Sequence, residues 1–519
     1  MSVEDYLKEE FGTLSHLIAL HAAEQPDHVA LVLDDRSVTY AELDAVADRV
    51  AAAMQRDGFR RGDFVAISSK NSLAYVFAMV GSLRAGVGVA LLAPDMAAEN
   101  LARMLADSDA PQIFLDDAVA QILGTTDAFE RVRVVALDGS AHGKPFAEWL
   151  APVGARPEPV TVGPKDPFNI IYSSGTTGTP KGIVLPHDFR WAQFQMFKGL
   201  GYSPDTVAMV SIPLYSNMTL SSFLPPLAMG GKIVLMAKFD ARRYLELAEE
   251  HRVTHSMMVP VQFQRIMDVE GFERYDLSSF EVKSCGSAHF AAELKARILA
   301  HWPGELVEFY GMTEGGGVCR LDARLNPGKL HTVGHPLVGH DMRVIDEDGN
   351  ELPPGSVGEI VGNSPTMMVC YHKLPEKTRE AEWFDAAGKR FIRTGDVGRF
   401  DEDGFLVLMD RRKDMIISGG FNIYPSDLET VLREHPKVAD VAVTGVPSAR
   451  WGETPVAFVI AEPGSGLTEE ELMGWSSGKV NKAQRIAAVE FVEDLPRNGI
   501  GKVLKAALKE RWAASGRSL

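Results

Sequence analysis

The sequence predicts an α/β protein in which a large N-terminal domain of several subdomains is followed by a small α+β domain. Through about the first 400 residues, short apolar runs alternate with amphipathic stretches, as expected for strands and helices packed in layers. Beyond residue 395, short strands and acidic turns follow one another closely, and a further unit begins after residue 410. We therefore expect an N-terminal domain over 1–410 and a C-terminal domain over 411–519.

The elements of the large domain follow from local apolar patterns. Apolar runs predict strands at 64–68, 113–115 and 232–236. The amphipathic stretch 101–108 predicts a helix. The segment 73–92 predicts a buried helix followed by a strand, because Arg84 and three glycines keep it short of the ~18 uninterrupted apolar residues of a membrane span.

A hairpin precedes the elements of the small domain. The Asp403-Gly404 pair between the apolar stretches 397–400 and 405–408 is a typical hairpin turn. Further on, 426–433 predicts a helix, 441–443 a strand, and the arm after Val503 a last helix that frays at its end. These alternating short elements predict a compact α+β unit.

Composition narrows the class of protein. With 45% hydrophobic and 24% charged residues, the chain is typical of globular proteins. Its net charge of -17 argues against general nucleic-acid binding. The three cysteines, Cys285, Cys319 and Cys370, form no CxxC pair, so neither a zinc site nor a disulfide framework is indicated. Without a visible signal peptide or membrane span, we expect a cytoplasmic protein; a homodimer is compatible with the sequence.

The most informative stretch is 172–182, which reads YSSGTTGTPKG. Three glycines let the backbone approach an anion, five Ser and Thr hydroxyls donate hydrogen bonds, and Lys181 adds charge. The glycine spacing differs from that of a Walker A loop, and the alternative is a flexible surface turn. Because the stretch directly follows the strand-like residues 168–171, we interpret it as a phosphate-binding loop.

Three further motifs carry chemistry along the chain. Residues 309–314, FYGMTE, combine an aromatic ring, a hydroxyl and a carboxylate that together suit a base, a phosphate and Mg²⁺. Residues 393–396, RTGD, offer a carboxylate for the hydroxyls of a ribose. Residues 495–502, LPRNGIGK, place a lysine on a glycine-rich turn. Each motif alone also fits an ordinary turn or a solvated side chain.

In this order and spacing, the motifs resemble those of the adenylate-forming superfamily, which includes acyl-CoA synthetases, aryl-CoA ligases, beetle luciferases and the adenylation domains of peptide synthetases. The resemblance covers nearly the whole chain. It implies an N-terminal adenylation domain and a small mobile C-terminal lid that swings about a hinge at Lys413. The implied reaction joins a small-molecule carboxylic acid to AMP from ATP with Mg²⁺, and a thiol then captures the acyl-adenylate.

The resemblance also assigns residues to roles. By similarity, the catalytic residues are Lys502, Thr313 and Glu314, with Glu314 on Mg²⁺. The ATP-binding residues are Ser174, Gly175, Thr176, Thr177, Gly178, Lys181, Ser287, Ala288, Tyr310, Asp396 and Arg411. The acyl pocket is formed by Ser216, Asn217, Met218, Met257, Gly286, Phe309 and Gly311. The pocket residues carry no charge, which argues against an amino-acid substrate and favours an aromatic, arylalkanoic or medium-chain acid.

Coenzyme A is the expected acceptor. By resemblance, its contacts are Gly419, Gly420, Trp451 and Arg485, and core packing is the alternative for Trp451. The segment 479–519 contains nine basic and four acidic residues, and this local excess of +5 suits the CoA phosphates. The chain also ends soon after Lys502, so we expect no carrier-protein domain.

Other functions stay open in the sequence. Ser216, His289 and Ile486 depart from the family pattern, and Ile486 in the C-terminal lobe keeps an amide synthetase in view, in which an amine captures the adenylate. A non-catalytic nucleotide-binding relative is a second alternative. The GxSxG stretch 474–478 resembles a serine hydrolase motif, but we expect it to end a helix that begins near Thr468.

Overall fold

The computed structural model describes residues 1–173, 181–418, 421–448, 450–480, 484–498 and 501–517. The chain forms two compact units. Unit 1 contains Met1–Asp341 and Asn363–Ile392, and unit 2 contains Met342–Gly362 and Arg393–Leu519. These limits differ from the domain boundary expected at 410/411, and the hinge expected near Lys413 stays a prediction.

Helices and strands alternate through most of unit 1 and again through unit 2. The helices are α1 Val3–Tyr6, α2 Leu14–Glu24, α3 Tyr40–Arg56, α4 Leu73–Arg84, α5 Ala98–Asp107, α6 Asp117–Leu123, α7 Phe146–Trp149, α8 His187–Gly199, α9 Asn217–Ala228, α10 Ala241–Glu250, α11 Pro260–Met267, α12 Ala292–His301, α13 Pro375–Glu380, α14 Pro425–Arg433, α15 Glu469–Ser477 and α16 Lys505–Ala514.

The strands are β1 Val29–Leu33, β2 Arg36–Thr39, β3 Phe64–Ser68, β4 Gly88–Leu91, β5 Gln112–Leu115, β6 Arg133–Ala136, β7 Lys144–Pro145, β8 Pro167–Ser173, β9 Lys181–Pro186, β10 Val207–Val210, β11 Lys232–Leu235, β12 His255–Met258, β13 Val282–Cys285, β14 Glu305–Tyr310, β15 Cys319–Asp322, β16 His335–Pro336, β17 Asp341–Ile345, β18 Gly358–Asn363, β19 Cys370–Tyr371, β20 Glu382–Phe384, β21 Arg390–Phe400, β22 Leu406–Arg411, β23 Ile416–Ser418, β24 Phe421–Ile423, β25 Val438–Ser448, β26 Gly452–Ala461 and β27 Ala488–Phe491.

Two large sheets organise unit 1. One has the order β16-β15-β14-β13-β12-β10-β11-β1-β2, and the other has the order β19-β9-β8-β4-β3-β5-β6-β7. Their central strands are parallel, as in the pairs β13 with β14 and β3 with β4. Both faces of such strands are covered, which explains why their sequences are almost continuously apolar. The carboxyl ends of β13 and β14 lead into the segments 286–288 and 311–314, where sequence motifs predict the site.

Unit 2 contains the predicted hairpin and the predicted small α+β domain. Strands β21 and β22 pair antiparallel around the Asp403-Gly404 turn, so the hairpin prediction is confirmed. A second sheet has the order β24-β23-β26-β25, with β27 on β26. Helix α14 packs against this sheet over a core that includes Leu428, Leu432 and Val459. The expected helix 426–433 and strand 441–443 both lie within these elements.

The elements expected at 73–92 and at 474–478 are also confirmed. The segment 73–92 forms α4 and β4, and no helix within the described residues is long and apolar enough to cross a membrane. All three cysteines are free thiols. Helix α15 ends at Ser477, so the GxSxG stretch lies at the end of a helix and lacks the strand-to-helix elbow of a hydrolase.

Candidate active site

The phosphate-loop candidate lies between two antiparallel strands of unit 1. Strand β8 ends opposite the start of β9, where Ser173 pairs with Lys181, so the pairing closes the base of the loop. The five assigned loop residues, Ser174, Gly175, Thr176, Thr177 and Gly178, lie outside the described residues. Lys181 is described, and its ammonium lies 5.0 Å from the centre of the Tyr371 ring. A cation over an aromatic face is attracted by the ring's quadrupole.

Tyr371 also contacts the candidate magnesium ligand. Its hydroxyl donates a hydrogen bond of 2.8 Å to Oε1 of Glu314, and burial together with this carboxylate raises the pKa of the Tyr371 phenol. The Glu314 backbone is fixed as well, because its carbonyl accepts from the Met368 amide at 2.9 Å. Tyr371 thus links Glu314 to Lys181. Tyr371 lies 57 residues from Glu314 and outside every motif, so no signal in the sequence pointed to it.

A cavity of about 130 Å³ in unit 1 gathers most of the predicted acyl pocket. Its lining includes Asn217, Met218, Met257, Gly286, Phe309 and Gly311, together with Ser287, Tyr310 and Thr313. A Cβ at Gly286 would lie 3.0 Å from the Phe309 carbonyl oxygen, so a side chain there would crowd the cavity wall. The cavity therefore adjoins residues that the family resemblance assigns to the acid and residues that it assigns to ATP.

Ser216, which the family resemblance assigns to the acyl pocket, lies at the start of α9. It is not among the lining residues of the cavity; its hydroxyl caps α9 by accepting from the Thr219 amide at 3.1 Å. A hydroxyl at this position satisfies one of the unpaired amides at a helix start. Ser216, one of the departures from the family pattern, therefore supplies a helix cap in this protein.

Ser287 occupies a left-handed backbone conformation, with φ +70°, two residues after the end of β13. For a residue other than glycine this conformation is strained, and such strain occurs often at functional sites. Its hydroxyl donates to the Met218 sulfur at 2.9 Å. Ala288 follows it and is half-buried. The predicted adenine-binding segment is thus tied to the wall of the acyl cavity.

Sequence reasoning missed one wall of the cavity, which comes from α8. Phe189, Gln193, Met196 and Phe197 all line it. Their spacing of four, three and one residues puts them on one helix face. This periodicity is visible in the sequence, but the same pattern also describes an ordinary core-facing helix.

Unit 2 brings together the predicted ribose and hinge residues. Asp396 on β21 is the register partner of Arg411 on β22, and the Arg411 Nε lies 3.1 Å from the Asp396 Oδ1. Gly395 precedes Asp396 with φ +69°, a conformation that glycine adopts without strain. Lys413 follows in the turn after β22.

Lys502 lies in the same unit on a hydrogen-bonded turn. Its amide donates to Oδ1 of Asn498 at 2.9 Å, and Arg497 donates to the Gly501 carbonyl at 2.8 Å. Burial, followed by the charges of Arg411 and Lys413, lowers the pKa of Lys502 to about 8, against the opposing effect of nearby carboxylates. The turn therefore holds the candidate catalytic ammonium near Arg411.

The expected CoA contacts are only partly described. Gly419 and Gly420 lie outside the described residues. Trp451 is 48% exposed and lies under the Arg450 guanidinium at 4.6 Å, so the alternative that it packs in the core is wrong. Arg485 is exposed. Among the departures from the family pattern, Ile486 packs in the core of unit 2 and His289 is exposed.

The chain matches two family models. The model described as AMP-binding enzyme matches residues 18–372, and the model of the AMP-binding enzyme C-terminal domain matches residues 427–502.

Curated relatives and solved structures align along almost the whole chain. The chain is 32% identical to a fatty acid–[acyl-carrier-protein] ligase, ScoC, from Streptomyces coeruleorubidus, over 98% of both chains. It is 33% identical to a feruloyl-CoA synthase from an Amycolatopsis species, over 95% of this chain and 97% of the relative. The structure of the amide bond synthetase McbA from Marinactinospora thermotolerans superposes with a TM-score of 0.85 at 28% identity, over 96% of this chain and 99% of the other.

Proposed function

Because the chain belongs to the AMP-binding enzymes, the adenylate-forming family that includes acid–thiol ligases of the acyl-CoA synthetase type, we propose that it is an ATP-dependent carboxylic acid–CoA ligase. Its substrate is an aromatic, arylalkanoic or medium-chain acid. The observation that carries the proposal is the cavity shared by residues assigned to the acid and residues assigned to ATP. Such a cavity suits a reaction that joins the two molecules.

In the proposed first step, a carboxylate oxygen of the acid attacks the α-phosphorus of ATP, and the bond to pyrophosphate breaks. This chemistry needs positioning and charge neutralisation more than covalent help from the protein. Lys502 supplies a positive charge to the reacting oxygens, and Lys181 supplies one to the leaving phosphates. The hydroxyl of Thr313, at the cavity wall, donates a hydrogen bond to the substrates.

ATP and Mg²⁺ fit the side chains that are present. Glu314 offers a carboxylate oxygen, the ligand type that Mg²⁺ prefers, and Tyr371 fixes its orientation. When bound, Mg²⁺ neutralises phosphate charge. Asp396 suits the hydroxyls of the ribose, because its carboxylate accepts hydrogen bonds from them. The guanidinium of Arg411 orients this carboxylate.

The dimensions of the cavity support an acid with one ring. The volume of about 130 Å³, part of which adjoins residues assigned to ATP, is below the ~150 Å³ of an engineered apolar cavity that binds benzene, so it favours no more than one ring. The methionines Met218 and Met257 and the ring of Phe309 form a flexible apolar wall for such a ring.

In the second step, a thiol sulfur attacks the acyl carbonyl carbon and AMP leaves. We propose CoA as the thiol. The exposed pair Arg450 and Trp451 and the exposed Arg485 support this choice, since a nucleotide offers phosphates to a guanidinium and a base to an indole.

The test is acid-dependent release of pyrophosphate from ATP across benzoates, cinnamates, arylpropionates and fatty acids, each with and without CoA. A CoA-dependent thioester together with AMP is the expected product. No pyrophosphate with any acid would point to a non-catalytic nucleotide-binding protein.

An amide synthetase is the second candidate, favoured by the close structural likeness to McbA and by Ile486 in the C-terminal lobe. The same assay separates the two, because turnover that ignores CoA but responds to added amines identifies an amide synthetase. Transfer to a purified acyl-carrier protein in place of CoA would likewise change the acceptor.

A further inference from the structure

A buried arginine lies behind the cavity wall that α8 forms. Arg190 is 1% exposed, yet among the described residues it forms no ion pair with a carboxylate. Its acceptors are neutral amide oxygens: Nη2 donates to Oδ1 of Asn169 at 2.9 Å, and Nη1 donates to Oε1 of Gln193 at 2.8 Å. The rings of Phe168 and Phe189 lie 5.5 and 5.1 Å away. Burial lowers the pKa of this guanidinium to about 9.

These contacts fix the orientation of the Gln193 amide. A guanidinium has donors only, so the oxygen of Gln193 must face Arg190 and its Nε2 must point away. Nε2 donates to the hydroxyl of Ser221 at 3.0 Å, and that hydroxyl donates to the Asn217 carbonyl at 3.0 Å. In this series of hydrogen bonds, each donor therefore lies on the side of the guanidinium and each acceptor on the side of α9.

This series of hydrogen bonds leaves one N–H of Gln193 available at the cavity. Gln193 is 7% exposed and lines the cavity with Ser221 and Asn217. Its Nε2 carries two hydrogens, and within the described part of the chain Ser221 is the acceptor for one of them. The buried charge of Arg190 polarises the amide and strengthens its remaining N–H as a donor. A buried donor without an acceptor is costly, so a ligand that supplies one is favoured.

We propose that Gln193 is a specificity-determining donor and that the acid carries a hydrogen-bond acceptor, an ether, hydroxyl or carbonyl oxygen, on its acyl part. This inference rests on the proposed function and refines its substrate class to oxygen-bearing acids. An acid with an unsubstituted hydrocarbon tail leaves the Gln193 N–H unpaired and is discriminated against.

The experiment compares matched acids, 3-phenylpropionate and cinnamate against their 2-, 3- and 4-methoxy derivatives, by kcat/KM for pyrophosphate release. A methoxy oxygen accepts but does not donate. For the wild type we expect at least one methoxy acid to exceed its parent by ~10-fold, the ratio expected for one hydrogen bond to a polarised donor. Gln193→Leu should bring this ratio to about one.

Two further variants separate recognition from folding. Gln193→Glu keeps an oxygen for Arg190 but removes the donor, so it should lose the preference even where Gln193→Leu is unstable. Gln195→Leu is the matched control: it lies on the same helix, its amide donates to the Leu7 carbonyl at 2.6 Å, and it does not line this cavity. The preference should persist in it.

Equal kcat/KM for parent and methoxy acids in the wild type, or an unchanged ratio in both Gln193 variants, overturns the inference while the ligase assignment stands. A purely structural role for Gln193 would lower both rates by one factor. Calorimetric titration with the same acids decides the matter without turnover: tighter binding of a methoxy acid that both Gln193 variants lose supports the inference, and equal binding in the wild type refutes it.

Discussion

At the scale of single residues, neighbouring groups tune two of the side chains that the family resemblance assigns to catalysis, one in each unit. Lys502 is a lysine whose charged form is destabilised by burial and by Arg411 and Lys413, and Glu314 is a carboxylate held by the Tyr371 hydroxyl. Neither effect can be derived from a motif, because each depends on groups that are distant in sequence.

The lowered pKa of Lys502 predicts a pH dependence of adenylation. Below pH 8 the ammonium is charged, and above it the charge is lost, so kcat/KM for CoA-free pyrophosphate release should fall as pH rises through about 8. Lys502→Arg should flatten this limb because a guanidinium keeps its proton. Lys502→Ala should slow adenylation by ~10² to 10³ while sparing thiol capture of a supplied acyl-adenylate. Equal loss in both steps would refute the role of Lys502.

Tyr371→Phe removes the hydroxyl that orients Glu314 and keeps the ring beside Lys181. We expect the KM for MgATP to rise by roughly threefold to tenfold, the value of one hydrogen bond, with a smaller change in the KM for the acid. Thermal unfolding without ligands should change little. Tyr75→Phe is the control, since the buried Tyr75 hydroxyl has no partner within the described residues. The same KM in both variants would contradict the positioning role.

At the scale of elements, a buried ion pair holds β14 against α12 behind the cavity. Lys295 on α12 pairs with Glu308 on β14 and donates to the Leu330 carbonyl at 2.6 Å. Glu308 directly precedes Phe309, and its register partner Cys285 directly precedes Gly286. The pair therefore fixes the ends of two strands, next to which Phe309 and Gly286 line the cavity.

Lys295→Met should leave a buried carboxylate unpaired and cost ~3–5 kcal/mol in the free energy of unfolding, measured by urea titration. The double variant Lys295→Met with Glu308→Leu should recover most of this loss, because no charge is then stranded. Arg297 lies on the same helix as Lys295, and Arg297→Met, which breaks an exposed pair with Asp268 at the end of α11, should cost less than ~1 kcal/mol. Similar losses in both single variants would show that the buried pair has no special role.

At the scale of the whole molecule, the predicted mechanism requires the lid to rotate about Lys413 between the two half-reactions. Lys413→Pro restricts the backbone at that point, so thioester formation should fall by at least ~10-fold more than adenylation. Single-turnover assays of each half-reaction measure the two rates. Lys413→Ala keeps the backbone free and serves as the control. A parallel fall of both rates in Lys413→Pro would place the hinge elsewhere.

The sequence by itself determined the alternation of strands and helices, the hairpin at Asp403-Gly404 and the order of the motifs. These features follow from local periodicity and turn chemistry, which short stretches of chain encode. Family membership followed from the motifs as well. Cytoplasmic location, a homodimer and the exclusion of nucleic acids stay predictions.

Only the tertiary structure decided which side chains share a cavity and which form hydrogen bonds outside it. In the folded chain, Tyr371 donates a hydrogen bond to Glu314, Gln193 on α8 lines the cavity, and Ser216 caps a helix. The physical reason is that hydrogen bonds, burial and charge act over a few ångströms in space, whatever the separation in sequence. A motif specifies the residue type at a position, but the packing of distant elements sets the partners and the pKa of its side chain.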